Sequence, residues 1–238
     1  MKKRGYQTLK LLALYLMPGV LIATFYYLVA PLMLIWGFPS IFTLSLAIMG
    51  VLMPWQLGVL MIKRGPQGKR SLLREILHNQ VPVSPKHFIL YAVALVLFAG
   101  LVYGVLSNTL NQFLKDEVFA FIPDWARIPE VDADEPQQTI TILSLLIFGN
   151  VAGPLVEELY FRGYLLDRTP GTPVRRSLLN AFLFAVYHFW SPWDIVARTL
   201  AVAPYAYVTQ KTKNLWIAVS AHIGVNMLSS IPILMMLF

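Results

Sequence analysis

Five ionisable side chains sit where the chain is otherwise apolar: Glu157, Glu158, Arg162, His188 and His222. The carboxamide of Asn226 follows one helical turn after the last of them. A charge at bilayer depth costs on the order of 3 kcal/mol even on lenient insertion scales. Gathering several in one half of a hydrophobic chain therefore points to a functional site. A carboxylate beside two imidazoles can relay protons, and one Glu with two His can also ligate zinc. Structural pairing between helices is the competing explanation, and for any single pair it is the stronger one.

Spacing separates the two glutamates. Neighbours on an α-helix point about 100° apart, whereas residues four apart share a face. Glu158 and Arg162 are four apart in "VEELYFRGYLL" and can pair within their own helix, which gives them a supporting, orienting role. Glu157 points elsewhere and is left as the free carboxylate. Depth gives a second test. At about 1.5 Å per residue, Glu157 lies roughly 16 Å from Arg168, His188 roughly 18 Å from Arg176, and His222 roughly 14 Å from Lys213. Three helices thus carry a polar residue to nearly one level. In "FAVYHFW", Phe184 is four before His188 and can wall the site; in "SAHIGVNML", His222 and Asn226 project together.

The elements that must hold these residues are membrane helices. The chain has 238 residues, of which 57% are hydrophobic and only 13% charged. A soluble domain carries about 25% charged residues, so this surface faces lipid. The reading is an all-α, polytopic transmembrane bundle of about seven spans, near 11–36, 40–62, 87–110, 139–168, 176–190, 194–210 and 214–238. All but Lys115, Arg127 and Arg198 of the 19 Lys and Arg fall at one end of these spans. That end is the cytoplasm by the positive-inside rule, which places the N-terminus inside and assigns the net charge of +7 to orientation rather than to nucleic acid. The acidic stretch "DWARIPEVDADEPQQ" falls at the other end. With no cysteine, disulfides and thiol chemistry are absent.

Residues 1–137 read as N-terminal helices with two loops of their own, and 138–238 as the catalytic part. In "SLLREIL", Leu72, Leu73, Ile76 and Leu77 suggest a short helix lying in the interface. Residues 111–137, with Phe113, Phe119, Phe121 and Trp125, read as a loop skirting the headgroups. Ser191 and Pro192 are placed as a cap and first-turn proline, and Asp194 with Arg198 as a pair four apart. "GNVAG" (149–153) permits close helix approach, and Pro154 frees the carbonyl of Asn150 one turn before Glu157.

"EELYFRG" resembles the EExxxR signature of the CPBP family (CAAX proteases and bacteriocin-processing enzymes), which are glutamic intramembrane endopeptidases. "FAVYH" resembles the FxxxH motif of that family, and "HIGVN" its HxxxN/D motif, in the same order. The resemblance covers about 140–238. It implies that Glu157 acts as general base on a water, that His188 helps hold and polarise that water, and that His222 and Asn226 stabilise the oxyanion. A carboxyl in a dry pocket can take a proton from water and return it to the leaving amine, and preorganised donors are what an oxyanion requires. The resemblance implies no metal and no cofactor.

The expected partner is a membrane-associated peptide or protein: a prenylated CAAX tail, or a bacterial leader or signalling peptide. The expected setting is a prokaryotic plasma membrane, with the cavity open to the cytoplasm. Three other readings remain: a zinc-dependent membrane protease, though no HExxH is present, a proton-coupled transporter, and an inactive immunity or scaffold protein.

Overall fold

The structure is a computed structural model that describes residues 2–65, 68, 70–127 and 133–235, with side chains described from Thr8 onward. The side chains of Lys2, Lys3 and Arg4, together with Lys69 and residues 128–132 and 236–238, lie outside the described residues. These belong to the basic end, the acidic stretch and the last span of the sequence reading.

Among the described residues, eight helices carry the architecture. They are α1 (Lys2–Ile35), α2 (Ser40–Ile62), α3 (Leu72–His78), α4 (Pro85–Val118), α5 (Glu135–Arg168), α6 (Pro173–Val186), α7 (Ile195–Thr212) and α8 (Trp216–Ser229). One-turn helices follow at Asp124–Arg127 and Ile231–Leu234. The described residues contain no strand, only one bridge between Arg64 and Ser71. Local chemistry sets the boundaries. The Ser71 and Thr172 side chains accept from the backbone N–H of Arg74 and Arg175, and Pro85 and Pro173 occupy first-turn positions where the missing N–H costs nothing. Helix α7 stops where Lys213 turns left-handed, at φ 55°. The Asn214 side chain then accepts from the Trp216 N–H and donates to the Val81 carbonyl, tying the start of α8 to the loop after α3.

The bundle is all-α and polytopic, but its seven long elements are unequal. Among the described residues, four helices are long and apolar enough to cross a membrane: Thr8–Ile35, Ser40–Ile62, Pro85–Val118 and Glu135–Arg168. Helices α6, α7 and α8 complete the bundle between them. Helix α4 runs well past the expected end at 110, because wider i→i+5 turns carry it through Ser107–Asn111 and Leu114–Val118. Much of 111–118 is therefore helix rather than loop. The segment after it is docked: Trp125 packs on Tyr26 and Tyr27, and Ile122 and Ala126 join Ala30 and Trp193 in a small second core, while Phe113 and Phe121 stay exposed.

Helix α5 is the axis of the molecule. From Val156 to Leu166 every residue except Gly163 is buried. Helix α4 does the opposite, presenting Leu97, Leu101 and Val105 outward as a lipid-facing side chain would be. The main core draws on α1, α2, α3 and α4 as well as on α5 to α8. Helix α3 contributes inward: Leu72 and Ile76 are buried, and Gly163 of α5 leaves the room that Ile76 fills, since a Cβ there would lie 2.9 Å from the Ile76 side chain. The expected interfacial helix is thus half a core helix, with Leu77 left outside.

Candidate active site

Glu157 closes a short α-helical stretch, Gly153–Glu157, between two stretches of wider i→i+5 turns, Leu145–Ala152 and Glu158–Leu165. Such turns are frequent where a helix aims side chains at a site. Pro154 lies in the first turn of the α-helical stretch. Lacking an N–H, it is suited to that change of register. A Cβ on Gly153 would lie 3.5 Å from the Ile48 side chain of α2, so α5 and α2 approach closely there.

The two glutamates do different things. Glu158 and Arg162 pair at 3.1 Å within α5, and both side chains are fully buried. The guanidinium also lies over the Phe184 ring, 4.2 Å from its centroid, a cation–π contact that supports the buried charge. Glu158 has a second partner that spacing does not show: Nδ1 of His222 on α8, at 3.0 Å. Glu157 is not the free carboxylate the sequence suggests, because the Tyr187 hydroxyl donates to its Oε1. Around it stand two imidazoles. His188 Nε2 lies 3.9 Å from Oε1 and His222 Nε2 lies 3.9 Å from Oε2.

The second nitrogen of each ring defines its orientation. His188 Nδ1 lies 2.8 Å from the Phe184 carbonyl, which can only accept, so Nδ1 carries the proton. His222 Nδ1 meets Glu158, already held as an acceptor by Arg162, and donates in turn. Both Nε2 atoms are thereby turned toward Glu157.

His188 does not ride on a helix. The expectation of one helix over 176–190 fails because α6 ends at Val186. Pro192 biases Ser191 out of the helical region (φ −142°, ψ 60°), and the chain leaves α6 in tight turns. In them the His188 N–H bonds to the Ala185 carbonyl and the Ser191 N–H to the His188 carbonyl. Ser191 caps nothing with its side chain; its hydroxyl accepts instead from Arg198, which also pairs with Asp194 at 3.2 Å. The turn is held from α1 as well. Gly19 passes so close to the Tyr187 carbonyl that a Cβ there would collide with it.

Phe184 is buried at the centre of the cluster, edge-on to His188 at 4.8 Å and to His222 at 6.0 Å. Asn226 is the outlying member. It lines the same cavity, but its Nδ2 donates to the Gly149 carbonyl at 3.1 Å. Tyr187 and Trp190, whose ring centroid is 4.8 Å from that of His188, were not legible as site residues. Their positions beside His188 were the only signal.

The cavity holds about 700 Å³, and Glu157, Tyr187, His188, His222 and Asn226 all line it. From Glu157 its lining continues through Gly149 and Leu145 on α5, Asp194 before α7 and Ser229 on α8. The basic end of α5 is closed by packed aromatic and aliphatic side chains. Among the described residues, no group of three or more His, Asp and Glu side chains is arranged to hold a metal ion.

Comparison with known proteins bears on the same residues. The family model described as type II CAAX prenyl endopeptidase Rce1-like matches residues 139–228. Searches of curated proteins and of solved structures gave no match. The matched segment carries all three motifs and agrees with the CPBP resemblance. With four helices among the described residues apolar enough to span, the chain is an integral membrane protein whose residues 139–228 match the Rce1-like family of CAAX-type endopeptidases.

Proposed function

We propose that the protein is an intramembrane endopeptidase in which Glu157 activates a water against a peptide bond, without a metal. The observation that carries this reading is the pair of 3.9 Å separations, each from one oxygen of Glu157 to the Nε2 of a different histidine, on the floor of one buried cavity. Polar atoms at that distance are too far apart for a direct hydrogen bond and close enough to share one water.

A water held there donates one hydrogen to Glu157 and the other to the lone pair of His188 Nε2. Its oxygen is then free to attack the scissile carbonyl carbon. As the C–O bond forms, the proton moves to Glu157 and the carbonyl π electrons become the oxyanion. The oxyanion forms beside His222, which its Nδ1 contact with Glu158 orients, and the second N–H of Asn226 is available to it. Collapse breaks the C–N bond, and Glu157 returns its proton to the leaving amine. Tyr187 holds one carboxylate oxygen in place throughout. Arg162 and Glu158 position His222 and do not touch the reacting atoms. The substrate is a peptide segment at the membrane, in keeping with the endopeptidase family match.

The test compares membrane peptides from cells making the wild-type chain with those from cells making Glu157→Gln. Peptide ends formed only with the wild type, from equally inserted protein, are the expected result. Equal products from the two strains would end the reading. A zinc enzyme would instead lose activity to a tight chelator and regain it with zinc.

A further inference from the structure

We propose that the substrate reaches Glu157 from the end of the bundle opposite the basic loops, so that the peptide cut is one presented at the extracytoplasmic side of the membrane. The chemistry assigned to this peptide rests on the endopeptidase reading. The route rests on the shape of the cavity and on the placement of the basic residues.

On the five helices that give the cavity most of its wall, the lining stops at one level. The residue nearest the basic end is Leu52 on α2, Val96 on α4, Glu157 on α5, Tyr205 on α7 and His222 on α8. These residues are the floor. All other lining residues of those helices lie on the far side of it, reaching Ile41 at the start of α2, Ser107 on α4, Leu145 on α5 and Ser229 on α8. Because consecutive spans run in opposite directions, this shared level cannot come from one stretch of sequence. It belongs to the bundle.

Below the floor the interior is filled. Tyr160, Phe161, Tyr164 and Leu165 are each at most 3% exposed, and Ile217 and Ala218 are fully covered. The buried Glu158–Arg162 pair lies among them. A smaller cavity of about 190 Å³ does enter from the basic end between Asn79, Arg168 and Lys213, but it stops at Arg162 and shares no lining residue with the larger one. A peptide arriving from that side would have to displace the pair that orients His222.

Orientation follows from charge. Lys10, Lys63, Arg64, Lys86, Arg168, Arg175, Arg176, Lys211 and Lys213 mark one end of the spans, and such clusters in short loops remain in the cytoplasm. The mouth is therefore extracytoplasmic. Its walls combine Ile41, Leu44, Leu145 and Ile233 with Ser107 and Ser229. That lining suits a peptide with apolar side chains around the scissile bond, such as the outer end of a membrane-inserted segment.

The natural chain lacks cysteine, so single thiols report cleanly. Ser107→Cys and Ser229→Cys place one at the mouth, and Arg175→Cys places one at the exposed basic end. Intact cells are treated with a membrane-impermeant maleimide, then compared with permeabilised cells. The mouth thiols are expected to label fully in intact cells, and the Arg175→Cys thiol only after permeabilisation. Mouth thiols that label only after permeabilisation, or under neither condition, overturn the proposal, as does an Arg175→Cys thiol labelled in intact cells. Labelling needs no turnover. A chain that labels as expected but cuts no peptide refutes the peptidase reading and leaves the route standing, whereas one that cuts but labels from the basic side refutes the route alone.

Discussion

Tyr187 shows what a single hydroxyl does for the site. It donates to the Glu157 carboxylate from the turn that also carries His188. A hydrogen bond to a charged group contributes about 1.5–3 kcal/mol. Tyr187→Phe should therefore lower kcat by about ten- to hundredfold, with little change in melting temperature; unchanged kcat would show that Glu157 needs no such support. Glu158 should behave differently. Glu158→Gln leaves Arg162 buried without its carboxylate, and breaking a buried pair costs about 3–5 kcal/mol. The expected result is a large drop in melting temperature in detergent, partly restored by adding Arg162→Met, whereas a chain as stable as the wild type would show the pair to be dispensable. The sequence shows the Glu158–Arg162 pair because four-residue spacing is a local rule. It cannot show the Glu158–His222 contact, which joins two helices 64 positions apart.

At the level of elements, the apolar runs locate α1, α2, α4 and α5 well, since length and hydropathy alone decide a span. The end of α6 is not legible. It depends on Pro192 and on the turn holding His188, and "FAVYHFW" reads equally well as continued helix. The wider turns around Glu157 are likewise invisible, since no residue type demands them. The close passage of α1 over that turn gives a test. Gly19→Ala puts a methyl onto the Tyr187 carbonyl, whereas Gly58→Ala meets nothing within 4 Å. Gly19→Ala is expected to displace the Tyr187–His188 turn and reduce peptide cleavage in protein that still inserts, with Gly58→Ala close to wild type. Equal activity in the two variants would remove α1 from the site's support.

For the whole molecule, composition states the membrane class and the basic loops set the expected orientation, yet the end at which the cavity opens is a property of packing. Lining residues from five helices must be superposed before a floor appears. The outer face follows the bilayer: Leu97 of α4 is 67% exposed, and Leu97→Lys should shift insertion of that helix by about 2.5–3.5 kcal/mol, read as loss of membrane-integrated chain. Undiminished integration would place Leu97 away from lipid. The central claim is that separate parts of the bundle deliver one carboxylate and its imidazoles to one water. Groups acting on a single reacting atom fail together rather than additively. The most direct measurement is therefore the cleavage rate of Glu157→Gln, His188→Ala and the double variant on one peptide, in protein shown to be inserted. Each single change is expected to reduce the rate nearly as far as both together. Losses that simply multiply, or a Glu157→Gln enzyme that still cuts at the wild-type rate, would contradict it.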